Sequence, residues 1–140
     1  MANTYASEVA GLESVPVTNS NGAVQGGRLR RFRATITLAS QADGDTIVLA
    51  SVPAGYAFAY GILNASATLG SSTIAIGVSG TAAKYRAAAV FTAAAPTLFG
   101  VSTAVDDAPL TAGETVILTN TTAALPSSGT LIVDLYYSAP

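Results

Sequence analysis

Arg30-Arg31-Phe32-Arg33-Ala34-Thr35-Ile36-Thr37-Leu38 is the stretch whose pattern decides the fold of this chain. Phe32, Ala34, Ile36 and Leu38 take alternate positions, and Arg31, Arg33, Thr35 and Thr37 fill the places between them. A period of two puts successive side chains on opposite sides. One face is therefore apolar and the other polar, as in a half-buried antiparallel strand. The same period recurs downstream between turn residues. Ala42-Asp43-Gly44-Asp45 leads into a second strand over Thr46–Val52, which Pro53-Ala54-Gly55 ends. Tyr56, Phe58, Tyr60 and Ile62 alternate with Ala57, Ala59 and Gly61, which predicts a third strand with one bulky and one small face. After Leu69-Gly70-Ser71-Ser72, the alternation of Ile74, Ile76 and Val78 with Ala75 and Gly77 predicts a fourth over Thr73–Val78. Ser79-Gly80-Thr81 punctuates again.

Lys84–Ala95 carries two opposed signals. Its alanines favour helix on intrinsic propensity, and Pro96 would stop one. Its β-branched and aromatic neighbours, and the strand-like end Val90-Phe91-Thr92, favour extended chain, and strand is the reading adopted. A short apolar piece at Thr97–Val101 follows, then a loop through Asp106-Asp107-Ala108-Pro109, then strands at Thr115–Thr119 and Thr130–Tyr137. In the last, Leu131, Val133, Leu135 and Tyr137 oppose Ile132, Asp134 and Tyr136. Seven or eight short strands separated by turns, with no βαβ alternation, make the chain all-β. The expected architecture is a jelly-roll-like antiparallel β-sandwich. Asp45-Thr46-Ile47-Val48-Leu49 and Glu114-Thr115-Val116-Ile117-Leu118 each follow a glycine, as equivalent strands in the two halves of a jelly roll would.

Upstream of Arg30 the pattern stops. Ser14–Gly22 and Gly26-Gly27 hold breakers, and apolar residues are scattered among them: Tyr5, Val9, Leu12, Val15, Val17 and Val24. Residues 1–29 therefore read as an extended N-terminal arm and 30–140 as the β-sandwich domain. The arm is too long for an ordinary loop, and its dispersed anchors suit lying on a neighbouring chain. The plainer alternative is a frayed terminus.

Composition narrows the function. The chain has 140 residues, six basic and eight acidic, for a net charge of −2. Only 10% of residues are charged, well below the roughly 25% of ordinary soluble domains. Half are apolar, but 28 of those are alanine; Leu, Ile, Val and Phe still total 35, enough to fold. So few charges give a lone domain little to keep it apart from its neighbours, which favours an oligomer or lattice component. There is no cysteine and no histidine. Disulfides, thiolate zinc sites and the commonest general base go with them. No apolar run approaches the ~18 residues of a membrane span, and the first residues hold no secretory pattern. No membrane partner is expected.

Chemistry-bearing clusters are few. Asp43/Asp45 and Asp106/Asp107 offer oxygens for calcium, but aspartate is common in turns because it bonds its own backbone, and turn chemistry is the reading preferred. Lys84 is the sole base near a serine, Ser79, so a dyad is a remote option and a strand-edge cation the simpler one. Asn64-Ala65-Ser66 and Asn120-Thr121-Thr122 match the glycosylation pattern, which carries no meaning without secretion. Gly22–Gly27 has no phosphate-loop spacing. The expectation is no catalytic residue, no cofactor and no metal.

Arg28, Arg30, Arg31 and Arg33 are the asymmetric feature. Four of the six cations sit where the arm meets the first strand, leaving two basic against eight acidic residues elsewhere. Arginine suits bidentate pairing with carboxylates of another subunit. A nucleic-acid site is disfavoured by the small patch and the acidic remainder, while a solvated face paired with the protein's own acids is the plain competitor. Tyr5, Leu12, Val15, Val17, Arg28, Arg30, Arg31 and Arg33 are thus the candidate protein-interface residues.

Several segments taken together resemble a known class. Asp45–Leu49, Val52-Pro53-Ala54-Gly55, Leu69–Gly77 and Ala83-Lys84-Tyr85-Arg86-Ala87-Ala88-Ala89, with the terminal Leu131–Tyr137, are similar in texture and order to small structural proteins of tailed-phage heads and gene transfer agents. The resemblance implies a jelly-roll-like subunit on the outside of a capsid, a decoration or cement protein. It also implies a homotrimer, partners among the major capsid protein or other virion subunits, and a virion location after assembly in the host cytoplasm. Some relatives instead form the base of head fibres, and an adhesive or carbohydrate-binding β-module is the alternative.

Overall fold

The computed structural model describes residues 10, 15–17, 19, 22, 25–92, 95–105 and 108–140. Among the described residues eight strands run in chain order: β1 Arg28–Thr37, β2 Thr46–Val52, β3 Ala57–Ala65, β4 Thr73–Val78, β5 Thr81–Val90, β6 Thr97–Phe99, β7 Glu114–Thr121 and β8 Thr130–Ala139. They form two four-stranded sheets, ordered β1-β8-β3-β6 and β2-β7-β4-β5, with every pairing antiparallel. Within these sheets β1 pairs β8, β2 pairs β7, β3 pairs β6 and β4 pairs β5. That is a long hairpin rolled on itself, the jelly roll, and the expected fold class stands. The two similar phrases at Asp45–Leu49 and Glu114–Leu118 lie side by side, with Ile47 opposite Leu118 and Val48 opposite Ile117.

The core sits between the sheets. Phe32, Ala34 and Ile36 of β1 face inward beside Leu135, Val133 and Leu131 of β8. From the other sheet come Ile74, Ile76, Val116 and Leu118, all fully buried. An aromatic group closes one end. The Phe58 ring lies 4.4 Å from Tyr85 and 5.4 Å from Tyr137, and Phe32 meets Tyr137 edge-on at 5.7 Å. Rings at these spacings add to what their buried area contributes.

Three local patterns come out differently from their sequence reading. A bulge in β3 between Phe58 and Tyr60 breaks the expected bulky face of Tyr56, Phe58, Tyr60 and Ile62. Phe58 points into the core opposite Tyr137, but Tyr60 and Ile62 turn to the outer face and Gly61 and Leu63 take the inner one. In β4 the small face is covered as well as the large one, and Ala75 is as buried as its neighbours. A Cβ on Gly77 would lie 2.6 Å from the Ala82 backbone, because β5 folds back across it. The small face of this strand is therefore covered by the chain itself. Finally, β1 begins at Arg28, two residues earlier than the periodicity places it. The strand reading of the alanine-rich segment holds for Lys84–Val90, since β5 covers Thr81–Val90 with irregular register against β4, but Phe91, Thr92 and Ala95 lie outside the strand.

Candidate protein interface

Direct cross-strand pairing assembles the outer face of the β1-β8-β3-β6 sheet. Arg31 sits opposite Tyr136, Arg33 opposite Asp134, and Tyr136 in turn opposite Tyr60. The Tyr60 and Tyr136 rings stack with centroids 4.7 Å apart and planes 19° from parallel. Leu29, Ile62, Ile132 and Leu98 share this face, with Leu29 and Leu98 largely exposed. Arg33 holds Asp134 through a two-pronged bond, Nε to Oδ1 at 2.8 Å and Nη2 to Oδ2 at 2.7 Å. Those bonds from Arg33 hold the Asp134 carboxyl below the usual carboxylate range although its burial pushes the other way. The result is a sheet face of stacked rings and aliphatic side chains with one satisfied ion pair inside it.

The residues expected to form an interface are distributed unevenly. Arg28, Arg30, Arg31 and Arg33 lie together on β1, all exposed. Arg33 meets the protein's own acid, as the plain alternative predicts, but among the described residues Arg28, Arg30 and Arg31 take part in no ion pair. Val15 is 98% exposed and Val17 61%. Tyr5 and Leu12 lie outside the described residues.

The remaining polar clusters do structural work. Lys84 does not face Ser79; its Nζ bonds Glu114 across to β7, and the Tyr85 hydroxyl donates to the other oxygen of Glu114. Burial, followed by that bond, pushes the Tyr85 phenol up, so it is a poorer acid than usual. The buried Tyr137 hydroxyl lies nearby and, among the described residues, meets no partner at hydrogen-bond geometry. A cleft of ≈ 230 Å³ opens beside this group, lined by Phe58, Lys84, Tyr85, Ala104 and Leu110 among others. Asn120 is completely buried and unavailable for modification. Its Nδ2 donates to Ala42 O at 2.9 Å and Gln41 O at 3.3 Å, and its Oδ1 accepts from Ser72. Asp45 caps its own turn, accepting from the Ala42 N–H at 2.8 Å. Of these, Glu114, Asp134, Tyr60 and Tyr136 escaped selection from sequence. Their partners are 29 to 101 residues away along the chain or set by the β3 bulge, and one-dimensional spacing shows neither.

No protein-family model matches the sequence, and no curated protein does. Solved structures do match in fold. A chain in the capsid of Ralstonia phage GP4 superposes with a TM-score of 0.65 at 22% identity, covering 81% of this chain and 86% of that one. A chain of the cyanophage Pam1 capsid asymmetric unit gives 0.59 at 18% identity, covering 81% and 86%. A chain from the acid-stable capsid of Helicobacter pylori bacteriophage KHP30 gives 0.59 at 12% identity, covering 80% and 88%. This jelly roll thus has the fold of chains found in three phage capsids.

Proposed function

We propose that the chain is a non-enzymatic structural subunit of a phage virion, a decoration or cement protein that binds the outside of the head and stabilises it. The observation that carries this reading is the shared fold: three chains only 12% to 22% identical to this one, each from a phage capsid, follow four-fifths of it. Sparse charge and the open apolar-aromatic face fit a subunit that works against other proteins. Its partners would be the major capsid protein or other virion subunits, with the arm anchors Tyr5, Leu12, Val15 and Val17 lying on the shell. A homotrimer would close the outer face without leaving filament-forming ends.

The test is to add purified protein to heads assembled without it, then measure co-sedimentation and the temperature of DNA release. Saturable binding with later release supports the reading; no binding, or binding with unchanged release, defeats the cement role. Deleting residues 1–27 should spare the β-domain and weaken head binding. Equal occupancy by the truncated protein would reduce the arm to a loose terminus. The Tyr60–Tyr136 stack favours one second reading, a fibre- or tail-associated carbohydrate-binding module, since flat aromatic pairs suit sugar rings. Binding to a glycan array, lost in Tyr60→Ala, would establish it.

A further inference from the structure

A β-sandwich has four sheet edges, and in this one three are obstructed. β6 is only three residues long. β2 is interrupted by an irregularity at Leu49. β5 breaks register twice against β4, and its Arg86 guanidinium bridges that irregular seam, donating to Ile74 O, to Ala89 O at 3.2 Å and to Val90 O at 3.3 Å. Short and bulged edge strands are among the devices by which sheets avoid pairing with other chains, and edge charges, which also select by sign, are another. β1 is neither short nor bulged: it runs ten residues in unbroken register, and the charges it carries are the four arginines.

The ladder shows which of its backbone groups are open. The Leu38 N–H bonds Gly129 O at 2.9 Å, continuing the register in which Thr37 faces Thr130. In an antiparallel pair, backbone groups alternate in direction along the strand. Even-numbered residues of β1 therefore bond β8, and Leu29, Arg31, Arg33, Thr35 and Thr37 point their N–H and C=O groups to the open side. Thr37 O is closed off by the Gln41 side-chain amide at 2.9 Å. Among the described residues, nothing bonds the backbone of Leu29, Arg31, Arg33 or Thr35 on that side. The side chains of these same residues lie on the outer face.

We propose that this edge of β1 receives an extended strand of a neighbouring virion subunit, one that carries a carboxylate opposite Arg31. The proposal rests on the virion reading for the strand's source. Backbone groups of four residues supply affinity, and the arginines choose the occupant. Arg33 is already engaged by Asp134, so Arg31, which among the described residues joins no ion pair, sets the acidic position. A second copy of β1 is a poor occupant, because pairing it with itself would oppose arginine to arginine, and like charges directly opposite destabilise a sheet.

The full-length, isotope-labelled protein tests this by amide NMR, with millimolar synthetic peptides as long as β1. One peptide alternates Thr and Glu; its counterpart has Lys for Glu. The Glu peptide should shift the amides of Leu29, Arg31, Arg33 and Thr35, protect them from exchange, and bind roughly tenfold more tightly than the Lys peptide. Arg31→Glu should reverse that preference. Thr35→Pro removes an edge-facing N–H while keeping every arginine and every bond to β8, and should abolish the protection. Equal binding of both peptides, shifts that miss the four amides, or tighter binding of oligothymidine would each overturn the proposal. So would protection of those amides in the free protein, since the chain would then cover its own edge. No particle enters this assay, so failure of head binding with peptide binding intact would count against the virion role alone.

Discussion

Gly61→Ala isolates one packing contact whose cost the geometry allows to be worked out. Gly61 lies on the inner face of β3 opposite Phe99 of the short edge strand β6, and the Phe99 ring lies against its bare Cα. A Cβ there would fall 2.5 Å from both Cε atoms of Phe99 and closer still to Cζ, inside any real carbon–carbon contact. The ring cannot slide far, because Phe99 is buried in the core cluster. Forcing a methyl into such a site costs about 1–3 kcal/mol. Replacing glycine within a strand returns roughly 0.5–1 kcal/mol of backbone entropy. Taken at the middle of both ranges, the balance is a loss of about 1 kcal/mol, or roughly 3–5 °C in Tm for a chain of this size. Urea unfolding would measure it, with Phe99→Leu as the second arm of a double-mutant cycle. Leucine withdraws the atoms that clash, so in that background Gly61→Ala should be neutral or slightly stabilising. If Gly61→Ala with Phe99 intact is as stable as the parent, the ring does not need the glycine and the account of β6 is wrong.

Three further outcomes follow from the polar contacts. Asp134 is held below its ordinary range, chiefly by the hydrogen bonds from Arg33, so its stabilising contribution is complete above the unfolded value of about 3.9 and is lost as pH falls through the folded one. Arg33→Met should flatten that acid-side loss in urea midpoints measured against pH, and an unchanged slope would show that the pair carries none of it. Asn120→Ala strips partners from Ala42 O, Gln41 O and the Ser72 hydroxyl, and should cost about 2–4 kcal/mol in chemical denaturation. Arg86→Lys cannot reach the several carbonyls that the guanidinium spans, so amide exchange over Ala87–Val90 should quicken by about tenfold, with a smaller effect on global unfolding.

How far the sequence reaches can be judged strand by strand. β2 and β4 were legible to the residue, since alternation and its flanking turns are local properties of consecutive side chains. The strand state of Lys84–Val90 was legible too, against its alanine propensity, through its β-branched and aromatic neighbours. Two-residue periodicity, the absence of histidine and cysteine, and the clustering of arginines before Ala34 all belong to the chain by itself. Tertiary structure decided which strands became neighbours and in what register, and from that came everything specific about the outer face. Asp134 gained meaning only when β8 slid into place beside Arg33, 101 residues away. The bulge at Ala59 shows the limit most clearly. One extra residue in β3 reverses every later side chain, sending Tyr60 out to stack on Tyr136 and bringing Gly61 in beneath Phe99. That choice is made by the packing of β3 between β8 and β6, not by any pattern within β3.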